Sequence, residues 1–155
     1  MSIVKPIPDG YHSVTPYLTQ KSTDAAIKFY ERAFGATEVM RLSTPDGGVA
    51  HAEIQIGNSR LMMADENPQW GNKSPETLGG SATGYMIYIE NSDEAFDRAV
   101  KAGATVKRPV SDMFYGDRVG TVVDPFGYQW SIATHKQDVS MSEMQKKMEA
   151  MYSGQ

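Results

Sequence analysis

The stretches STDAAIKFYERAFGATEVMR, from Ser22, and NSDEAFDRAVKAGATVKR, from Asn91, are two versions of one pattern. Each carries Asp-x-Ala, a run with helical periodicity, and then Gly-Ala-Thr opening a strand-like segment. In the first copy Ile27, Tyr30 and Phe34 recur at helical spacing, Ser22 or Thr23 supplies the N-cap, and Gly35 suits a left-handed C-terminal stop. In the second copy Ser92 is expected to cap, Phe96, Ala99 and Val100 form the stripe, and Gly103 ends the helix. An internal repeat of this size constrains the fold more than any single motif, because both halves must follow one design.

The flanks repeat as well. A short strand precedes each helix, SVTPYLT and then TGYMIYIE, and a strand with a hairpin follows each. The first hairpin is VAHAEIQIGNSRLMMAD, turning at Gly57-Asn58-Ser59, and the second is DRVGTVVDPFGYQWSIAT, turning at Asp124-Pro125-Phe126-Gly127. Each half therefore reads βαβββ, over residues 11–66 and 84–135, with a Gly- and Pro-rich connector at 67–83. A connector this long is either a functional lid or a linker, and its Trp70 either covers a cavity or tucks against the sheet.

Alternation along the strands assigns faces. Ala52, Ile54 and Ile56 point one way and His51, Glu53 and Gln55 the other; Val14 and Leu18 oppose Ser13, Thr15 and Tyr17. The apolar sets are expected under the helices. The polar sets are expected to line the wall of a ligand cavity, or simply to be wet.

Composition narrows the partners. With 155 residues and 40% hydrophobic content the chain can bury one core, and its net charge of −4 with scattered Lys and Arg argues against nucleic acid. No apolar run approaches a membrane span, the first residues lack a signal-peptide core, and no cysteine is present; a soluble cytoplasmic protein acting on a small molecule is expected.

The paired βαβββ halves, AIKFYERAFGA, HAEIQIG, FYGDR and DPFGYQWSIATH together resemble the vicinal oxygen chelate superfamily of glyoxalases, bleomycin-resistance proteins and dioxygenases, in its PhnB-like branch. The resemblance implies an α+β fold in which the two modules form a half-open, curved sheet barrel around a cavity, with homodimers common. It also implies four metal-ligand positions, on the first and last strand of each half, falling here on Ser13 or His12, Met62 or Met63, Tyr85 and Ser131. Hydroxyls and thioethers replace poorly the imidazole and carboxylate donors that Zn, Ni, Mn or Mg take, so a metal-free cavity is expected. The alternative is a divalent metal elsewhere, held by His51 and Glu53 with His12 or Asp65.

Without metal, His51 and Glu53 form a candidate acid–base pair, or a hydrogen-bonded pair on a wet face. In FYGDR, Tyr115 is a candidate to close over a ligand and Arg118 to hold an anionic group, unless Asp117 and Arg118 are only an exposed ion pair. With Ser131 facing the cavity, Trp130 belongs to the core. The remaining candidate ligand contacts are Ser13, Thr15, Tyr17, Gln55, Trp70 and Tyr85. The tail at 140–152 reads as a helix with Ser140 and Glu143 as a capping box, Glu143 and Lys147 as an i, i+4 pair, and a stripe of Met141, Met144, Met148 and Met151 for its own domain or a second subunit.

Overall fold

Strand β1 (Tyr17–Gln20), helix α1 (Thr23–Phe34) and strands β2 (Thr37–Ser43), β3 (Val49–Ile56) and β4 (Ser59–Asp65) make the first half; β5 (Gly84–Tyr88), α3 (Ser92–Ala102), β6 (Thr105–Asp112), β7 (Asp117–Val123) and β8 (Gln129–His135) make the second. The computed structural model describes residues 4–154. The connector holds a 3₁₀ turn, Pro68–Trp70, and a short helix α2, Pro75–Leu78. Helix α4, Met141–Ser153, closes the chain.

Each half is a four-stranded mixed sheet, ordered β1-β4-β3-β2 and β5-β8-β7-β6, with the first strand parallel to the last and the others antiparallel. The two modules are those expected from the repeat, the α+β class is that implied by the resemblance, and the C-terminal helix is that read from the tail. The sheets are curved and open. No helix among the described residues is long and apolar enough to cross a membrane.

Helix starts show the duplication at atomic level. The Ser22 side chain caps α1, and Asp65, at the end of β4, accepts from the Thr23 N–H at 2.7 Å. In the second half Asn91, not Ser92, is the N-cap, and Thr134 at the end of β8 accepts from the Ser92 N–H at 2.8 Å. The cap is displaced by one residue from the expected position because Asn91 holds the extended backbone and accepts from Glu94 N–H, while Ser92 is already helical and buried. Both helices end on their glycines.

The helix-bearing faces of the two sheets meet in one core, where α1 packs on α3. Trp130 is buried there as expected, with ring centroids 5.3 Å from Tyr30 and 4.9 Å from both Phe34 and Tyr85. Asp124, from the turn between β7 and β8, ties the halves together. Its carboxylate accepts from the Tyr30 hydroxyl at 2.5 Å and, each at 2.9 Å, from Trp130 Nε1–H and the N–H groups of Phe126 and Tyr128. Burial pushes its carboxyl above the ordinary aspartate range, and these donors oppose the shift. Gly127 completes the turn at φ +93°, where a Cβ would stand 2.7 Å from Pro75.

One apolar expectation fails, and the methionine stripe does not pack on its own domain. Strand β1 begins only at Tyr17, after Pro16, so Val14 lies outside the sheet and is 84% exposed rather than under the helix. Helix α4 is capped through Ser140 Oγ, which accepts from Glu143 N–H at 3.2 Å, yet buries none of its residues, and Met141, Met148 and Met151 are exposed.

Candidate functional site

With both helix-bearing faces turned inward, the opposite faces of the two sheets point outward as two separate walls. Pairing sets who stands beside whom. On the first wall Tyr17 pairs with Met62, Met62 with Glu53, and Glu53 with Met40; the next rung joins Gln55 to Arg60. His51, one step along β3 from Glu53, completes a chain across this face. Its Nδ1 lies 2.8 Å from the Tyr17 hydroxyl and its Nε2 3.1 Å from Glu53 Oε1.

The partners fix the tautomer. An ionised carboxylate only accepts, so Nε2–H donates to Glu53, leaving Nδ1 to accept the Tyr17 proton. Glu53 is only 8% exposed, so its charge leans on His51 and cannot be met fully by water. Burial lifts the Tyr17 hydroxyl above the usual phenol range. The three groups form a hydrogen-bonded chain from a wall hydroxyl through an imidazole to a sunken carboxylate. The contact between Tyr17 and His51, 34 residues apart, carries no local sequence signal.

The second wall is a hollow of about 150 Å³ lined by Met86, Arg108, Met113, Tyr115, Thr121 and Ser131 among others. It brings Tyr115 and Ser131 together, with Ser131 Oγ 3.2 Å from Thr121 Oγ1. Beyond it Asp117, 5% exposed, accepts from the Tyr88 hydroxyl at 2.7 Å and binds His135 Nδ1 at 2.7 Å, while His135 Nε2 reaches Asp138 at 2.8 Å. The two carboxylates hold the His135 imidazole above its ordinary pKa. Neither Asp117 nor His135 was among the expected site residues.

Several expected positions sit elsewhere. Ser13 and Thr15 precede β1 and belong to no wall, because the strand starts two residues later than Thr15. Tyr85 pairs with Trp130, one residue out of phase with Ser131, so it leaves the second wall and its half-buried ring packs on Trp130, lining with Phe34 and Leu61 a separate hollow of about 380 Å³; burial pushes its pKa to about 12. Met86 takes its place beside Ser131. Arg118 turns toward α3, where Asp93 binds its Nε and Nη2 at 2.7 and 2.9 Å and Asp112 its Nη1 at 3.1 Å, so its fork is filled. Asp117 is correspondingly not its partner. Gln55 stands on the first wall and donates to Gly57 O at 2.8 Å. Trp70 is 70% exposed on the rim of a separate hollow of about 300 Å³ with Lys21, Asp46 and Asp65.

At the level of the expected ligand positions, the paired wall residues on the first and last strands are therefore Tyr17 with Met62 and Met86 with Ser131. A phenol, two thioethers and an alcohol do not make a divalent-metal site. Asp65 gives its oxygens to the N–H groups of Thr23 and Val49, at 2.7 and 2.8 Å, and so cannot join His51 and Glu53 around an ion. Among the described residues no three His, Asp or Glu side chains are placed to hold a metal.

Comparison with known proteins supplies the lineage. The chain is 38% identical over 145 residues to the uncharacterized protein Mb0911c of Mycobacterium bovis, covering 92% of this chain and 95% of that one. It is 25% identical over 150 residues to the protein YjdN of Escherichia coli, covering 80% and 96%. In three dimensions it is similar to a gene product of Arabidopsis thaliana (TM-score 0.64, 25% identity, 79% of this chain and 98% of that one). It is also similar to TioX from a Micromonospora species (TM-score 0.62, 24%, 84% and 99%) and to a PhnB protein of Bacillus cereus (TM-score 0.61, 17%, 79% and 99%). The family model of the glyoxalase/bleomycin resistance protein/dioxygenase superfamily matches residues 11–132, which take in both βαβββ halves, and the chain belongs to that superfamily.

Proposed function

We propose that this chain is a small-molecule binding protein that works without the divalent metal of the superfamily's metalloenzymes. The observation that carries this is the donor set at Tyr17, Met62, Met86 and Ser131, none of which offers an imidazole or carboxylate. Elemental analysis of protein purified without chelators is the test. The expected result is no stoichiometric divalent metal and a melting temperature indifferent to EDTA; stoichiometric metal whose removal lowers that temperature overturns the proposal.

The placement of the walls supports a homodimer. Each wall is open, the outer edges of β1 and β5 have no strand partner among the described residues, and Tyr17, Leu42, Met86 and Tyr88 are all exposed. A second copy can bring the second wall of one chain over the first wall of the other and enclose a ligand. Sedimentation at equilibrium is expected to give twice the chain mass; a monomer at all concentrations removes the shared cavity.

A second reading is favoured by the Tyr17–His51–Glu53 chain. It makes the protein an acid–base lyase or isomerase in which His51 exchanges a proton through the Tyr17 hydroxyl, with Glu53 steadying the imidazolium. Its signature is loss of turnover in His51→Ala with ligand binding retained.

A further inference from the structure

From the arginines we infer that the first wall takes a carboxylate: Arg60 binds the anionic end of a ligand with an apolar body and a hydroxyl at its far end. This rests on the small-molecule reading above and names the ligand class. Three arginines of this protein are half-buried, and they differ in one respect. Arg41 holds Glu38 and Asp24, with Nη2 and Nη1 at 2.7 and 2.8 Å, and Arg118 holds Asp93 and Asp112. Arg60 has no carboxylate within ion-pair reach among the described residues, and its Nε–H is buried without an acceptor.

A guanidinium half-shielded from water, with its Nε–H buried and no counter-charge among the described residues, carries a desolvation cost, so something must hold it there. The Tyr11 ring does, with its centroid 5.3 Å from Cζ, and so does the close backbone of Gly10. At Gly10 φ is +85° and a Cβ would come within 3.0 Å of Nη2, so the loop can lie on the guanidinium only as glycine. The fork is thus positioned before any anion arrives, and its planar geometry suits a carboxylate.

The rest of the wall defines the ligand's body and its far end. Arg60 and Met62 are alternate residues of β4, so their Cα atoms stand about 7 Å apart along the strand, with Met62 on the rung it shares with Tyr17. Met62 fills that step with Met40 nearby across Glu53, a polarizable apolar floor suited to an aromatic or aliphatic body. At the far end the Tyr17 proton is committed to His51 Nδ1, which leaves the phenol oxygen as an acceptor. A ligand hydroxyl donating to Tyr17 satisfies it. The chemistry is that of a hydroxyaryl or hydroxyalkyl carboxylate, and the arginine that reads it is not Arg118.

The test is titration of the isotope-labelled full-length protein with 3-hydroxybenzoate at constant ionic strength, following the Arg60 Nε–H resonance. A saturable shift is expected, with 3-hydroxybenzamide binding at least about tenfold more weakly, as befits loss of a charge-assisted pair. Arg60→Met is expected to match that loss, and Arg60→Lys, which keeps the charge but not the fork, to lose less. Tyr17→Phe is expected to erase the preference for 3-hydroxybenzoate over benzoate. Equal binding of acid and amide by a folded protein overturns the anionic assignment while leaving a small-molecule cavity. Equal or tighter response to inorganic phosphate overturns the carboxylate, and no saturation by roughly 50 mM, well above millimolar weak binding, overturns the site itself.

Discussion

At the end of β4 a carboxylate, Asp65, receives the first N–H of α1, and at the matching end of β8 a hydroxyl, Thr134, receives the first N–H of α3. The scaffold of the two halves repeats down to such contacts, whereas their walls do not. The first wall carries an imidazole, a sunken carboxylate and a guanidinium with no carboxylate partner among the described residues; the hollow of the second carries Ser131, Thr121 and Tyr115. Duplication preserved what each sheet needs to hold its helix and released the outward face. Differences between halves on that face are where ligand chemistry is to be sought.

The largest difference lies at the seam. Asp124 belongs to the second half but accepts from Tyr30 of the first, and the turn between β3 and β4, at Asn58, makes no such contact. Asp124→Ala leaves the Tyr30 hydroxyl and the Trp130 N–H buried and unpaired, and is expected to cost about 3–5 kcal/mol by urea denaturation. Asn58→Ala, in an exposed turn, is expected to stay within about 0.5 kcal/mol. Equal effects would mean that the halves are not joined through this turn.

The helix-start contacts give the next largest effect. Asp65→Ala removes acceptors from both Thr23 and Val49 and is expected to cost about 2 kcal/mol, while Thr134→Val, which loses one acceptor and the bond to Ile89 O, is expected to cost about 1 kcal/mol. Paired denaturation curves decide the order. A reversal would show that the hydroxyl's two bonds outweigh the carboxylate's.

What is legible in the chain is whatever repeats or alternates locally. The two helices, their glycine stops and the hairpins come from spacing and turn chemistry, and the inward turn of Trp130 from the resemblance that sets Ser131 on the wall. The departures are of two kinds. Ser13 keeps the phase of Tyr17 but precedes a strand that starts only after Pro16, and Tyr85, placed by the resemblance, stands one residue out of phase with Ser131, which turns it to the other face. Arg118 looks free in the sequence because its partners Asp93 and Asp112 reach it from other elements. Arg60 escapes notice for the converse reason: that no carboxylate among the described residues reaches it is visible only in the folded chain.

The smallest effect expected is a pH dependence in the second half, at His135. His135 is faced by Asp117 and Asp138 on its two nitrogens, with the Tyr88 hydroxyl on Asp117 and Lys136 adjacent in the chain. Its folded pKa is raised above the ordinary 6.5, so its contribution to stability is complete below about pH 6.5 and is lost as pH rises through the higher folded value. The imidazole is half exposed, and solvent screening keeps the effect modest. Thermal melts across pH 6 to 9 are expected to show a shallow decline in the wild type that His135→Gln removes. Asp138→Asn is expected to leave most of the decline in place, because Asp138 is fully exposed and Asp117 is the buried partner. If Asp138→Asn instead abolishes it, the pH response belongs to the segment leading into α4 and not to the second wall.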